Sequence, residues 1–419
     1  MLEIRYDKDE LWLKDVTQNE KGNVNPTVDN MVLILDNDPY ICNHILYNDF
    51  SRNYEYMDEG KPPRSWSDAD DAKIMAYIES SYGIYNLKKY QQALAIVMER
   101  HSYNPLHELI ENEKWDGIER IDTFLKDILK CDCKSRDMEN YHREVSRMIF
   151  YGGIARLYTP GIKFDYMPIL IGPQGVGKST IIDWLALNTQ YYKEVTTIDG
   201  DKGIECLEGG WICEFSELLA MTRQKDVQAM KAFVTRTVDR YRRPYDIRVS
   251  ILPRNCIFIG TTNDSEFLTD TTGNRRYLPV EVDIPRGELF EKESEIKEYI
   301  MQCWREALYK MQNKKNFYLT IPEQFYDIVT KSQERRVIED PRLSELDDFL
   351  SKKEVGDKVC SRMIWAEAFK GILKEATKGD FKTINTYMNK FKSWKRIDDN
   401  LATFEKYGRQ KYWVKKYED

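Results

Sequence analysis

The residues best suited to chemistry are Gly172-Pro-Gln-Gly-Val-Gly-Lys-Ser-Thr180. They follow the apolar run Met167-Pro-Ile-Leu-Ile171 and precede a second one, Ile181-Ile-Asp-Trp-Leu-Ala-Leu187. The spacing is G-x-x-x-x-G-K-[ST] between a strand and a helix, the pattern that cradles a nucleoside triphosphate. Glycines let such a loop turn its backbone N–H groups inward, and the helix N-terminus adds partial positive charge. Lys178 is expected to reach the β- and γ-phosphates of ATP, and the Ser179 hydroxyl to ligate Mg²⁺. Gly172, Pro173, Gln174, Gly175, Val176, Gly177 and Thr180 complete the expected binding loop.

Hydrolysis also needs an acid near that loop. Gly209-Gly-Trp-Ile-Cys-Glu-Phe-Ser-Glu217 reads as a turn feeding an apolar strand that ends in a carboxylate. Glu217 is the first choice to hold Mg²⁺ through water and to orient the attacking water. Glu214 points to the opposite face by alternation, yet a carboxylate within an apolar strand is unusual, so it is a second candidate for the nucleotide face. Cys256-Ile-Phe-Ile-Gly-Thr-Thr-Asn263 reads as another apolar strand. Its terminal amide, Asn263, is placed to hydrogen-bond the γ-phosphate or the attacking water. Arg275 and Arg276 sit on a Gly-Asn loop just before a further strand and are candidates to deliver a guanidinium to a γ-phosphate. Such a finger normally acts across a subunit boundary, which implies an oligomeric ring.

The elements that must position these groups alternate between strand and helix from 166 to 284, the signature of an α/β fold with a largely parallel sheet. This core is expected over 161–286, behind a helical segment at 105–160 and before a helical extension at 287–340. Residues 1–104 read as a mixed α/β accessory domain. Within it a helical pattern runs from about Ala69 to Glu99, with Asp68 and Asp70 as plausible N-caps, and Asn104-Pro105 breaks the chain. Residues 341–419 read as short helices followed by two strands around Gly408-Arg409, a winged-helix-like unit.

The 419 residues carry 63 Lys+Arg against 70 Asp+Glu, a net charge of −7, so any nucleic-acid surface must be local. Residues 222–254 hold nine Lys/Arg against three Asp. Arg240, Arg242, Arg243 and Arg248 are candidates for phosphate backbone contacts, and Tyr241 and Tyr245 for stacking on unpaired bases. Residues 382–416 hold ten Lys/Arg against three acids, interleaved with aromatics expected to be core. The eight cysteines form no CxxC pair and read as reduced bystanders. No apolar run reaches 18 residues and the N-terminus lacks a signal-peptide core, so no membrane contact and a cytoplasmic location are expected.

Taken in order, several of these pieces resemble the virulence-associated protein E family of phages and mobile islands. They are Asn104-Pro-Leu, Trp115-Asp-Gly-Ile-Glu-Arg-Ile-Asp122, Pro160-Gly-Ile-Lys-Phe-Asp165, Gly172–Thr180, Trp211–Leu218, Asp239-Arg-Tyr-Arg-Arg-Pro-Tyr245, Gly260-Thr-Thr-Asn263 and Asp270-Thr-Thr-Gly-Asn-Arg-Arg276. That family is similar to the superfamily 3 replicative helicases. The resemblance implies an AAA+-like core assembling as a homo-hexamer on single-stranded or forked DNA, beside a separate primase. It assigns Lys178 and Ser179 to the Walker A role, Glu217 to Walker B, Asn263 to sensor 1 and Arg275 or Arg276 to the finger. The departure is at Walker B, where one strand-end glutamate replaces the usual acid pair. A replicative helicase is the leading expectation; an ATP-switched initiator or loader that binds DNA without unwinding it is the alternative.

Overall fold

The computed structural model describes residues 8–216, 224–242, 248–265, 267–268, 274–336 and 342–416. The chain divides into two compact units, Met1–Arg336 and Val337–Asp419. Among the described residues no helix is long and apolar enough to cross a membrane. The eight cysteines are free thiols, five of them buried.

The first unit opens with a small sheet of β1 (Ile45–Asn48), β2 (Asn53–Tyr56), β3 (Arg64–Ser65) and β4 (Ser102–Tyr103), in the order β3-β2-β1-β4. Helices Val28–Asn37, Asp68–Tyr82 and Leu87–Arg100 cover one side of it. Tyr90, Ala93, Leu94 and Val97 recur at helical spacing and are all buried, which is why the last of these helices forms there. The continuous helical pattern read over 69–99 is in fact two helices. Gly83 ends the first in the left-handed region (φ 69°), and the Asn86 side chain caps the second by accepting from the Lys89 amide. Ser67, not Asp68 or Asp70, is the first helix's N-cap. Asp70 instead closes the capping box, accepting from the Ser67 amide at 2.9 Å, while Arg64 grips its buried carboxylate at 2.7 and 2.8 Å.

The central sheet contains β5 (Met167–Ile171), β6 (Tyr192–Glu194), β7 (Ile212–Phe215), β10 (Ile257–Thr262) and β11 (Tyr277–Glu281). Between them in sequence, β8 (Val238–Tyr241) and β9 (Ser250–Pro253) form a separate antiparallel ribbon. The central strands are all parallel, in the order β11-β5-β10-β7-β6. Every residue of β5, β7 and β10 is buried, as a parallel sheet covered on both faces requires. Helices Arg136–Tyr158 and Glu293–Gln312 pack into this core. Trp211 and Trp304 meet at 4.3 Å between ring centroids, and Trp211 donates to Gly153 O. A side chain at Gly153 would enter that space, since an added Cβ would lie 2.5 Å from Trp304.

The ribbon's base is locked by charge. Arg254 is 2% exposed and Asp239 5%. Arg254 donates to both Asp239 carboxylate oxygens, at 2.7 and 2.6 Å, and to the Phe233 carbonyl. Removing one partner strands the other as an unpaired buried charge, at a cost of about 3–5 kcal/mol. Asp239→Ala is therefore expected to lower the unfolding free energy of this unit by about that amount in a urea titration. A change below about 1 kcal/mol would show that the pair is not a buried lock.

The second unit runs helix Arg342–Ser351, β12 (Lys358–Val359), helix Ser361–Met363 with a π-helical continuation to Ala368, helix Lys378–Met388, β13 (Trp394–Phe404) and β14 (Gly408–Lys415). The sheet order is β12-β14-β13. Trp394, Phe404, Tyr407 and Trp413 are buried, so these aromatics are core. The hairpin differs from its sequence reading: the first strand already starts at Trp394 and the turn falls at residues 405–407, ahead of Gly408 (φ 71°).

Candidate functional site

The loop after β5 runs directly into the helix Lys178–Leu185. Gly177, the residue before the helix, has φ 92°, and an added Cβ there would lie 2.4 Å from Leu289. Both the backbone conformation and the close approach demand glycine. Pro173, Gln174, Gly175 and Ser179 are exposed, so the loop faces outward, and the first helix amides have no partner within the helix.

Lys178 lies over this loop. Its Nζ donates to Gly172 O at 2.6 Å, Pro173 O at 2.9 Å and Asn263 Oδ1 at 2.8 Å. These three acceptors are neutral carbonyl oxygens on an ammonium that is only 8% exposed. Burial pushes the Lys178 pKa down, and the charge of Glu214 partly offsets that. Asn263 reaches Lys178 because β10 pairs directly with β5, setting Thr262 opposite Ile171.

The acid brought to the loop is Glu214, which is 1% exposed. Its Oε1 accepts from Ser179 Oγ at 2.8 Å and from Thr261 Oγ1 at 2.7 Å. Its Oε2 accepts from the Tyr192 hydroxyl at 2.6 Å. Burial, and then this bond, raise the Tyr192 pKa well above an ordinary phenol's. Glu214 was the second choice from sequence; Glu217, the first choice, lies outside the described residues. A buried carboxylate beside a serine hydroxyl is an all-oxygen donor pair suited to a hard cation. Among the described residues no cluster of three His, Cys, Asp or Glu groups is present, so any such ion would complete its shell with phosphate and water. Tyr192 and Thr261 were missed from sequence. Thr261 had a signal, a polar residue two before Asn263 and so on the same face. Tyr192 had none.

Arg275 and Arg276 lie elsewhere. They occupy a 3₁₀ turn, Asn274–Arg276, immediately before β11, whose first residue pairs with Met167 at the start of β5. The glycine-containing loop begins after Ile171, at the other end of β5, roughly 15 Å away at about 3.3 Å per residue. The two arginines line a cleft of about 550 Å³ with Lys163, Asp165 and Tyr166, and Arg275 is exposed.

The basic ribbon keeps part of its proposed surface. Arg240, Arg242 and Arg248 are exposed, whereas Arg243 and Tyr245 lie outside the described residues. Tyr241 is 4% exposed, which rules out base stacking by this ring. The alternation along β8 buries Asp239 and Tyr241 and exposes Val238 and Arg240, because the Arg254 pair holds Asp239 inside. The basic patch is smaller than its residue count suggests, since Arg254 and Lys231 are also buried.

No curated protein matches the chain. Among solved structures, the apo NrS-1 C-terminal region (305–718) aligns at 12% identity over 89% of this chain and 96% of that one, with a TM-score of 0.48. Two A-form apo structures of the same region align at 12% identity over 88% and 89% of this chain and 96% of theirs, with TM-scores of 0.48 and 0.44. The model of the virulence-associated protein E-like domain matches residues 110–338, which include all of β5 to β11. With more than half of its 419 residues matched, the chain belongs to the virulence-associated protein E-like family.

Proposed function

We propose that this chain is an ATP-driven DNA helicase or translocase with an AAA+-like core, acting as a homo-hexameric ring in the replication of a phage or mobile element. One observation carries the reading: Lys178 bonded to Asn263, and Ser179 bonded to Glu214, at the carboxyl ends of the adjoining strands β5, β10 and β7. This is a triphosphate loop with a γ-phosphate sensor and an acid beside it.

In this reading Lys178 exchanges its carbonyl acceptors for β- and γ-phosphate oxygens, and Asn263 is then free to follow the γ-phosphate. Ser179 and Glu214 would hold Mg²⁺, with Glu217 retained from sequence as a further candidate. The ion supplies neutralisation of charge on the phosphate oxygens. β10 connects the site to the basic ribbon, because β9 leads into it through Arg254-Asn255-Cys256. Arg240, Arg242 and Arg248 offer cations to a DNA backbone. The separation of Arg275 and Arg276 from their own loop supports a finger that acts on a neighbour's nucleotide. In this reading the work is done in the cytoplasm of a bacterial host.

A second reading, an ATP-switched initiator or loader, draws on the helix–strand–helix–helix–hairpin order of the second unit, which suits a winged-helix DNA module. Tailed forks decide between them. The helicase reading expects strand separation with ATP and none for Lys178→Ala. Brisk ATP turnover over a fork that stays annealed would favour the loader.

A further inference from the structure

Among the described residues Glu214 alone does not cover both duties of the acid at this loop, holding the metal and orienting the water, and the other candidate, Glu217, lies outside them. Glu214 is 1% exposed, and if its Ser179 contact is given over to the metal, the Thr261 and Tyr192 hydroxyls still cover its remaining acceptor positions, which leaves almost no surface for an attacking water. The next residue, Phe215, carries no proton acceptor and is core, its ring packed against Phe258 at 5.3 Å and Phe233 at 6.3 Å.

The neighbouring edge strand carries another carboxylate. Parallel pairing of β6 with β7 sets Glu194 level with Glu214 and Tyr192 level with Ile212. Tyr192 lies two residues before Glu194 and therefore on the same face, and its hydroxyl reaches Glu214. Glu194 thus shares the face that carries Glu214, at the carboxyl end of its strand, about 5 Å sideways from backbone to backbone. Unlike Glu214 it is exposed. The Ser216 hydroxyl, just past β7, donates to Glu194 Oε1 and ties the two strand ends together.

We propose that Glu194 is the carboxylate that orients and deprotonates the water attacking the γ-phosphate, while Tyr192 positions Glu214 for the metal. This rests on the ATPase reading and names the base of that reaction. The water oxygen bonds to the γ-phosphorus as the bond from that phosphorus to the β–γ bridging oxygen breaks. The bonding pair leaves with ADP, and the water's proton passes to Glu194 and on to solvent, which its exposed position allows.

The test uses the full chain, with fluorescent ATP analogue binding and single-turnover hydrolysis measured together. Glu194→Gln is expected to bind nucleotide within about threefold of wild type while hydrolysis falls at least about 100-fold, the usual scale for a general base. Tyr192→Phe is expected to raise the Mg²⁺ concentration needed for half-maximal nucleotide binding by about tenfold, as loss of a carboxylate's supporting partner does. Hydrolysis by Glu194→Gln within about tenfold of wild type overturns the proposal, as does a loss confined to Glu217→Gln. Loss of nucleotide binding in Glu194→Gln overturns it too, by making the residue structural. A wild type that binds no nucleotide sinks the ATPase reading itself, and that arm is read before any variant.

Discussion

Glu214→Gln is expected to keep the fold and nucleotide binding while ATP turnover drops by about a hundred- to a thousandfold. The substitution preserves shape and one acceptor oxygen, enough for the Ser179 and Thr261 hydroxyls that share Oε1, but removes the negative charge and the Oε2 that accepts from Tyr192. A metal's stabilisation of transition-state charge is worth several kcal/mol, and each 1.36 kcal/mol is tenfold in rate. Weakening the ion's hold should therefore appear in turnover and in a higher Mg²⁺ requirement. Turnover within about tenfold of wild type would assign the metal to another acid, with Glu217 the next to test.

An arginine effect at least as large is expected, with a different signature. Replacing a finger arginine costs about 10³–10⁵ in turnover. Whichever of Arg275 and Arg276 is the finger, its alanine variant should therefore be nearly inactive. Each arginine lies at the opposite end of β5 from its own loop, so the loss should be rescued by subunits that are themselves dead. Lys178→Ala subunits keep the arginines and lose the loop. In an equal mixture about one interface in four would join an intact loop to an intact finger, as head-to-tail contacts in a ring allow. Recovered turnover in the mixture, absent from either variant alone, is the expected result. If both single arginine variants retain full turnover, the cleft with Lys163 and Asp165 is not a finger site.

The loop was legible because everything it needs is local. Gly175 and Gly177 take positive φ, Lys178 starts the helix, and the apolar run before it is a buried strand. The acid was harder. Alternation says that Glu214 and Glu217 face opposite ways, but which face meets Ser179 depends on β10 lying between β5 and β7, a long-range fact. Tyr192 and Glu194 sit on a three-residue edge strand, too short to show a period. Tyr241 was misread because charge pairing turned Asp239 inward and took the tyrosine with it. The helix break at Gly83 shows the same limit locally: apolar spacing continues across it, while the glycine's left-handed backbone ends the helix.

Titration of the wild-type chain and of Lys178→Ala with Mg-ATP, by calorimetry across pH, bears most directly on whether this loop holds a triphosphate. The wild type should bind, and loss of a charged hydrogen-bond donor should weaken binding about 10- to 100-fold. Burial lowers the Lys178 pKa, so the ammonium becomes neutral, and wild-type affinity begins to fall, at a lower pH than the ordinary lysine value of 10.5 implies. Wild type that fails to bind, or Lys178→Ala that binds equally well, would contradict it.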